Sequence, residues 1–264
     1  MIAITVDCEQ WNAPELRGKK DLSNGNTFYS FEGNKKLLEI FDKNKVKATF
    51  FVTGFFAEKH KEQVKEISKR HEIASHGYNH FYRGNNNFNL FEDVSKSKKI
   101  LESVIGRKII GFRAPQMQFS KDLIKTLERL NFEYDSSIHS AWLPGFYNNK
   151  DKPLTPFKIG NVLEIPASAS LKLRIPFNWI FMRNFPLWYS VGIVKKLLKL
   201  GIIPVIYVHS WEFYKVKNKN VPFYITRNTG KTFCKKFGEF LKVFRDEEFV
   251  TMSNIYKNFN NCQA

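Results

Sequence analysis

The feature that most narrows what this chain can fold into is an alternation that runs from end to end: a short β-type apolar run, then a helical stretch, then another run. IAITV (2–6), KATFFVTG (47–54), EIAS (72–75), IIGFRA (109–114), FEYDSS (132–137), VLEIPAS (162–168), PVIYVHS (204–210) and FVTMS (249–253) read as strands. Helical spacing is expected over 33–45, 58–70, 89–105, 120–130, 188–200 and 228–246. The clearest end signals belong to NLFEDVSKSKKILESVIG, where Asn89 can cap, Glu92 stands three later as in a capping box, and Gly106 follows the last turn. Strand and helix in turn predict parallel strands joined by crossovers, hence an α/β fold, either an open doubly wound sheet or a closed barrel. The segment 140–187, rich in Pro, Asn and aromatics, reads as a long irregular insertion. No repeat or linker divides the chain, so a single domain over 1–264 is expected.

Several of these runs close on a residue capable of chemistry: Asp7 and Glu9 after IAITV, His76 after EIAS, Arg113 after IIGF, Asp135 after FEY and His209 after VIYV. In parallel α/β folds the C-terminal strand ends share one face, so these side chains should converge. In SHGYNH, His76 and His80 lie four apart and would share one side if the chain turned helically, which is half of a zinc site. Glu9 would complete a set of two imidazoles and one carboxylate with a position left for water. Cys8 offers a thiolate instead, although strand alternation aims it at the other face. Asp7, two residues before Glu9, would point the same way and could take a proton from water. Arg113 would hold Asp7 ionised and oriented. His209 is either a satisfied core histidine or a general acid. His60 and His71 are expected in solvent, and His139 is given no role.

Lys and Arg number 42 against 25 acidic residues, a net charge of +17 that attracts nucleic acid, anionic lipid headgroups or acidic glycans. No nucleic-acid-binding motif accompanies it, which disfavours that partner. The three cysteines lack the spacing of a zinc finger or redox dithiol, and the opening MIAITVDCEQW reads at once as a strand without a basic leader, so a cytoplasmic protein is expected. WYSVGIVKKLLKLGI alternates apolar residues and lysines at helical spacing and could rest on an anionic membrane.

TVDCEQW, SHGYNH, FRAP and VIYVHSWEF, in that order across residues 5–213, resemble the motifs of the polysaccharide deacetylases with NodB homology, carbohydrate esterase family four. The resemblance implies an irregular (β/α) barrel of seven strands and metal-dependent removal of acetyl from an N-acetylated sugar. By it Asp7 corresponds to the base, His76 and His80 to metal ligands, Arg113 to the residue steadying the base, and His209 to the acid. The first motif departs from the common Asp pair. Cys8 takes the second place and a carboxylate comes one later, as in the Asp-x-Glu branch, which would make Glu9 the third ligand. The fourth motif, YDSSIHSAW, is blurred: Asp135 and Trp142 are its candidates, with Glu164 competing to orient His209. Pro115 and Trp211, with Asp135 and Trp142, complete the expected substrate contacts. The implied cofactor is a divalent metal, Zn²⁺ first, with Co²⁺, Mn²⁺ or Ni²⁺ as alternatives, and the implied partner is an N-acetylated saccharide. Trp142, Phe146, Tyr147, Trp179, Phe181, Phe185, Trp188 and Tyr189 could stack on sugar faces. Three readings stand beside this one: a related hydrolase of another C–N bond, a nucleic-acid binder, and a silent sugar-binding barrel.

Overall fold

The computed structural model describes residues 1–18, 26–80, 88–145 and 147–262. Strand β1 (Ile2–Cys8) is buried throughout and has two apolar faces. Ile2, Ile4, Val6 and Cys8 join the large core under the helices. Ala3 packs in a second, inner cluster, and Thr5 and Asp7 share its side by alternation. Parallel to β1 along the main path of the sheet lie β2 (Thr49–Val52), β3 (Glu72–Ser75), β4 (Gly111–Phe112), β5 (Tyr134–Asp135), β9 (Val162–Glu164) and β10 (Val205–His209). The order across the sheet is β10-β1-β2-β3-β4-β5-β9. The edge strand β8 (Phe157–Ile159) runs antiparallel to β9, and β11 (Phe249–Val250) pairs with the start of β1. A hairpin of β6 (Trp142–Leu143) and β7 (Tyr147–Asn148) stands apart.

The sheet curls into a half-barrel. Beyond β9, Ser168 N donates to Val205 O at 3.0 Å and Val205 N to Ser168 Oγ at 2.8 Å, which links the far end of the sheet to β10.

The helices are α1 (Phe28–Asn44), α2 (Gly54–Lys59), α3 (Lys61–Ser68), α4 (Leu90–Ile105), α5 (Lys121–Arg129), α6 (Trp179–Asn184), α7 (Leu187–Lys199), α8 (Phe223–Thr226), α9 (Lys231–Val243) and α10 (Met252–Asn261). Helix α4 ends as expected: Asn89 accepts from Glu92 N, and Gly106 takes the left-handed conformation at φ 69°.

Four expectations are corrected. The helix expected over 58–70 is two helices, because His60 leaves helical backbone at φ −132°, ψ 46°. The strand expected over 249–253 stops at Val250, since Thr251 caps α10. The stretch 140–187 is not wholly irregular; it holds β6 to β9 and α6. His71 is not solvated but buried, accepting from Ala48 N, while His60 is half-buried, hydrogen-bonded to Thr27 Oγ1 and stacked on Phe31.

Candidate active site

The register of β1 against β10 pairs Asp7 with His209, which sets a carboxylate and an imidazole side by side at the C-terminal strand ends. The Asp7 Oδ1 accepts from Arg113 Nη1 at 2.8 Å. Arg113 is fully enclosed and fixed on every side: Nη1 also reaches Thr5 Oγ1, Nη2 reaches Ser136 Oγ, Nε reaches Ser136 O, and its plane lies 4.1 Å over the Phe51 ring. A planar guanidinium so held orients the carboxylate it pairs with. Asp7 Oδ2 faces His209 Nε2 across 4.0 Å.

The next carboxylate, Glu9, turns its Oε2 toward two imidazoles, at 2.6 Å from His80 Nε2 and 3.3 Å from His76 Nε2. All three residues are buried, and their ligand atoms lie within 4.8 Å of one another. The other nitrogen of each ring is occupied: His76 Nδ1 lies 2.8 Å from Arg113 O and His80 Nδ1 2.8 Å from Asn12 Oδ1. A carbonyl oxygen can only accept, so each Nδ1 donates and each Nε2 is the nitrogen turned to the Glu9 side. Two imidazole nitrogens and one carboxylate oxygen, oriented in this way, fit a divalent cation. Burial alone would raise the Glu9 carboxyl, but His80, His209 and His76 hold it well below the usual carboxylate range. Its other oxygen accepts from Trp211 Nε1 at 3.3 Å.

The route by which the histidines meet is not the expected one. Residues 76–80 form a loop, not a helical turn: Gly77 takes φ 70°, and Asp93 of α4 accepts from Tyr78 N and Asn79 N at 2.8 and 3.0 Å. Cys8 stands away from the cluster, where Asn34 Nδ2 donates to its sulfur and burial pushes the thiol up to about 12. Glu9 is therefore the third donor that the geometry brings to the pair.

His209 has a partner that sequence reasoning missed. The turn after β10, Ser210–Phe213, brings Glu212 Oε2 to 3.4 Å from His209 Nδ1, and the same oxygen accepts the His209 backbone N–H at 2.8 Å. Glu212 is fully buried and ion-paired with the equally buried Arg183 of α6. Burial by itself would lower the His209 pKa; Glu9, Glu212 and Asp7 outweigh it and raise it above the ordinary value. Trp211 stacks on the ring with centroids 5.2 Å apart, and Trp179 meets it edge-on at 5.0 Å. The only sequence signal for Glu212 was its place three residues beyond His209 in HSWEF.

Asp135 and Glu164 are not placed as expected. Both are fully enclosed: Asp135 Oδ1 accepts from Ser137 Oγ at 2.6 Å, and Glu164 Oε1 from Ile138 N at 2.9 Å. Burial pushes Asp135 up to about 6. Burial and then the Asp135 charge push Glu164 well above the carboxylate range. Neither carboxylate orients His209, and Asp135 offers no exposed atom to a substrate. Pro115 is buried at the start of a short turn whose Gln116 Nε2 donates to His80 O. Trp142 is half exposed on the β6–β7 hairpin under Lys150. Trp211 forms a wall of the site. Phe146 lies outside the described residues.

A half-barrel of parallel strands like this one has known counterparts. A putative polysaccharide deacetylase from Mycobacterium smegmatis matches over 99% of this chain and 90% of its own, at 21% identity and a TM-score of 0.66. The allantoinase Puue matches over 98% and 90%, at 15% identity and a TM-score of 0.71. The fold is therefore the NodB-like α/β half-barrel. In sequence, residues 28–134 match the family model of polysaccharide deacetylases. A peptidoglycan deacetylase of Helicobacter pylori is 30% identical over 178 residues, 61% of this chain and 60% of that protein. The chain spans about a third to three fifths of the length of the curated relatives it matches. The likeness to polysaccharide deacetylases in sequence thus covers part of this chain.

Proposed function

We propose that the protein is a metal-dependent hydrolase that removes the N-acetyl group from a saccharide containing an N-acetylhexosamine. One observation carries the reading: His76 and His80, each fixed through Nδ1, turn Nε2 toward Glu9, beside an Asp7–Arg113 ion pair and His209. Glu9, His76 and His80 would hold a divalent ion such as Zn²⁺, which when bound supplies the Lewis acidity that acidifies a water and polarises an acetyl carbonyl.

The chain's own groups divide the proton transfers. Asp7, held by Arg113, accepts the proton of the attacking water. His209, with Glu212 behind it, donates a proton to the departing nitrogen, without which an amine leaves poorly. Trp211 fixes Glu9 through its indole N–H and packs against His209, so it couples the two parts of the site. The Helicobacter relative is named for peptidoglycan, which favours an N-acetylated glycan strand or its building block as the substrate class.

The test is acetate release from a panel of N-acetylglucosamine-containing glycans, by metal-stripped protein and by the same protein after metal is restored. Release that returns only with metal supports the proposal. No acetate from any member, in either state, refutes it.

A further inference from the structure

The positive charge of this chain is unevenly placed. Between Glu164 and Glu239 it holds thirteen Lys and Arg side chains and one carboxylate, Glu212. That carboxylate is buried against Arg183. Large apolar side chains stand in solvent within the same stretch: Trp188 is 73% exposed and Phe223 71%, with Phe185 and Tyr224 about half exposed. The two segments that carry them are tied together. Asn184 Nδ2 and Arg183 Nη2 both donate to Tyr224 O, and the Tyr189 ring lies 5.4 Å from Phe185 and 6.3 Å from Trp188. Lys236 reaches the carbonyl of Phe185. Helix α7 does not use its apolar stripe here, because Ile193, Val194 and Leu197 are buried in the core; its exposed face carries Lys195, Lys196 and Lys199.

We propose that this aromatic cluster and its lysines form a docking surface for an anionic lipid membrane, on which the protein rests. Exposed Trp and Phe gain by entering the headgroup region, and lysines beside them are attracted to anionic lipid. Among the described residues no helix is long and apolar enough to cross a membrane, so the contact is peripheral. A single-stranded nucleic acid is the less fitting occupant, since it is held by aromatic platforms within a basic groove. Here Trp188 and Phe223 stand out from the first turns of α7 and α8.

The surface adjoins the site. Helix α6 begins at Trp179, whose ring touches His209, and ends at Asn184, which holds Tyr224. Six residues of helix span about 9 Å. Docking would therefore hold the mouth of the site at headgroup level, and the substrate class it selects is an N-acetylated amino sugar on a lipid carrier. That selection rests on the function proposed above; the docking itself does not.

The experiment is co-sedimentation with phosphatidylcholine vesicles, with and without phosphatidylglycerol, beside acetate release from a soluble N-acetylchitooligosaccharide. Binding to the phosphatidylglycerol vesicles, weakened by salt, is expected. The double variant Trp188→Ser, Phe223→Ser should weaken it by about tenfold or more. Each of Lys195→Gln, Lys196→Gln and Lys199→Gln should weaken it by up to about fivefold. Circular dichroism and turnover of the soluble substrate should not change. Equal binding to both vesicle types, undiminished binding by the variants, or capture of single-stranded DNA without vesicle binding would each overturn the proposal. If the soluble substrate is not turned over at all, the deacetylase reading fails while the vesicle result still decides the docking.

Discussion

Two groups of imidazoles meet in the cleft, and what stands behind each ring separates them. His76 and His80 have neutral carbonyl oxygens behind Nδ1, from Arg113 and Asn12. His209 has a carboxylate, Glu212, at 3.4 Å. A neutral acceptor fixes a tautomer and leaves the far nitrogen as a lone pair, which suits a cation. An anion favours the imidazolium, which keeps a proton on the far nitrogen for donation. On the proposed reading one residue type would serve as ligand and as acid, and the difference would lie in the groups behind each ring.

Substitutions can break this division or sharpen it. The largest effects are expected from His209→Ala and Asp7→Asn, each lowering deacetylation by about 10²–10⁴-fold with metal content unchanged by elemental analysis. A variant that lost its metal would move that residue into the other group. Glu212→Gln should cost about 10²-fold on an N-acetyl amide, yet leave an activated aryl acetate nearly untouched, because such a leaving group needs no acid. Equal losses on both substrates would reduce Glu212 to a scaffold for Arg183. Asn12→Ala frees the His80 tautomer, and metal affinity measured by competition should fall by about tenfold or more, with the His209 acid function intact in the metal-saturated protein.

The smallest effect concerns the enclosed acids that belong to neither group. Asp135 is raised to about 6 by burial, and Glu164 is raised well above its ordinary value by burial and then by Asp135. The folded chain therefore keeps protons that the unfolded chain loses above about pH 4, and stability falls as pH rises from there through 6 and beyond. Glu164→Gln keeps a neutral donor beside Asp135. It should flatten that decline and add roughly 1 kcal/mol at pH 8, seen as a melting temperature a few degrees higher.

Most of the scaffold was legible in the sequence, for a local reason. Period-two alternation along β1 sorts Ile2, Ile4, Val6 and Cys8 from Asp7, and parallel topology gathers the strand ends. The spacing of His76 and His80 marked a donor pair, but the loop that joins them depends on Gly77 and on Asp93, a residue of the following helix. Alternation does not reveal whether a polar strand end faces the cleft or the wall, and so Asp135 and Glu164 read as site residues while being enclosed. The Arg183–Glu212 pair lay beyond reach for another reason. Arg183 sits in a six-residue helix too short to show a period, inside a stretch that reads as irregular, and the pair forms only when α6 packs under β10.

Helix α1 touches both groups through small residues. Ser30 Oγ donates to Glu9 O, and Gly33 lies so close to the next turn that a Cβ there would come within 1.9 Å of Ser210 O. The position of the turn that follows His209 is thus gauged by a missing methyl group one helix away. A library of substitutions scored for turnover should mark residue 33 as intolerant, although it meets no reactant; inheritance of the reaction depends there on vacant space.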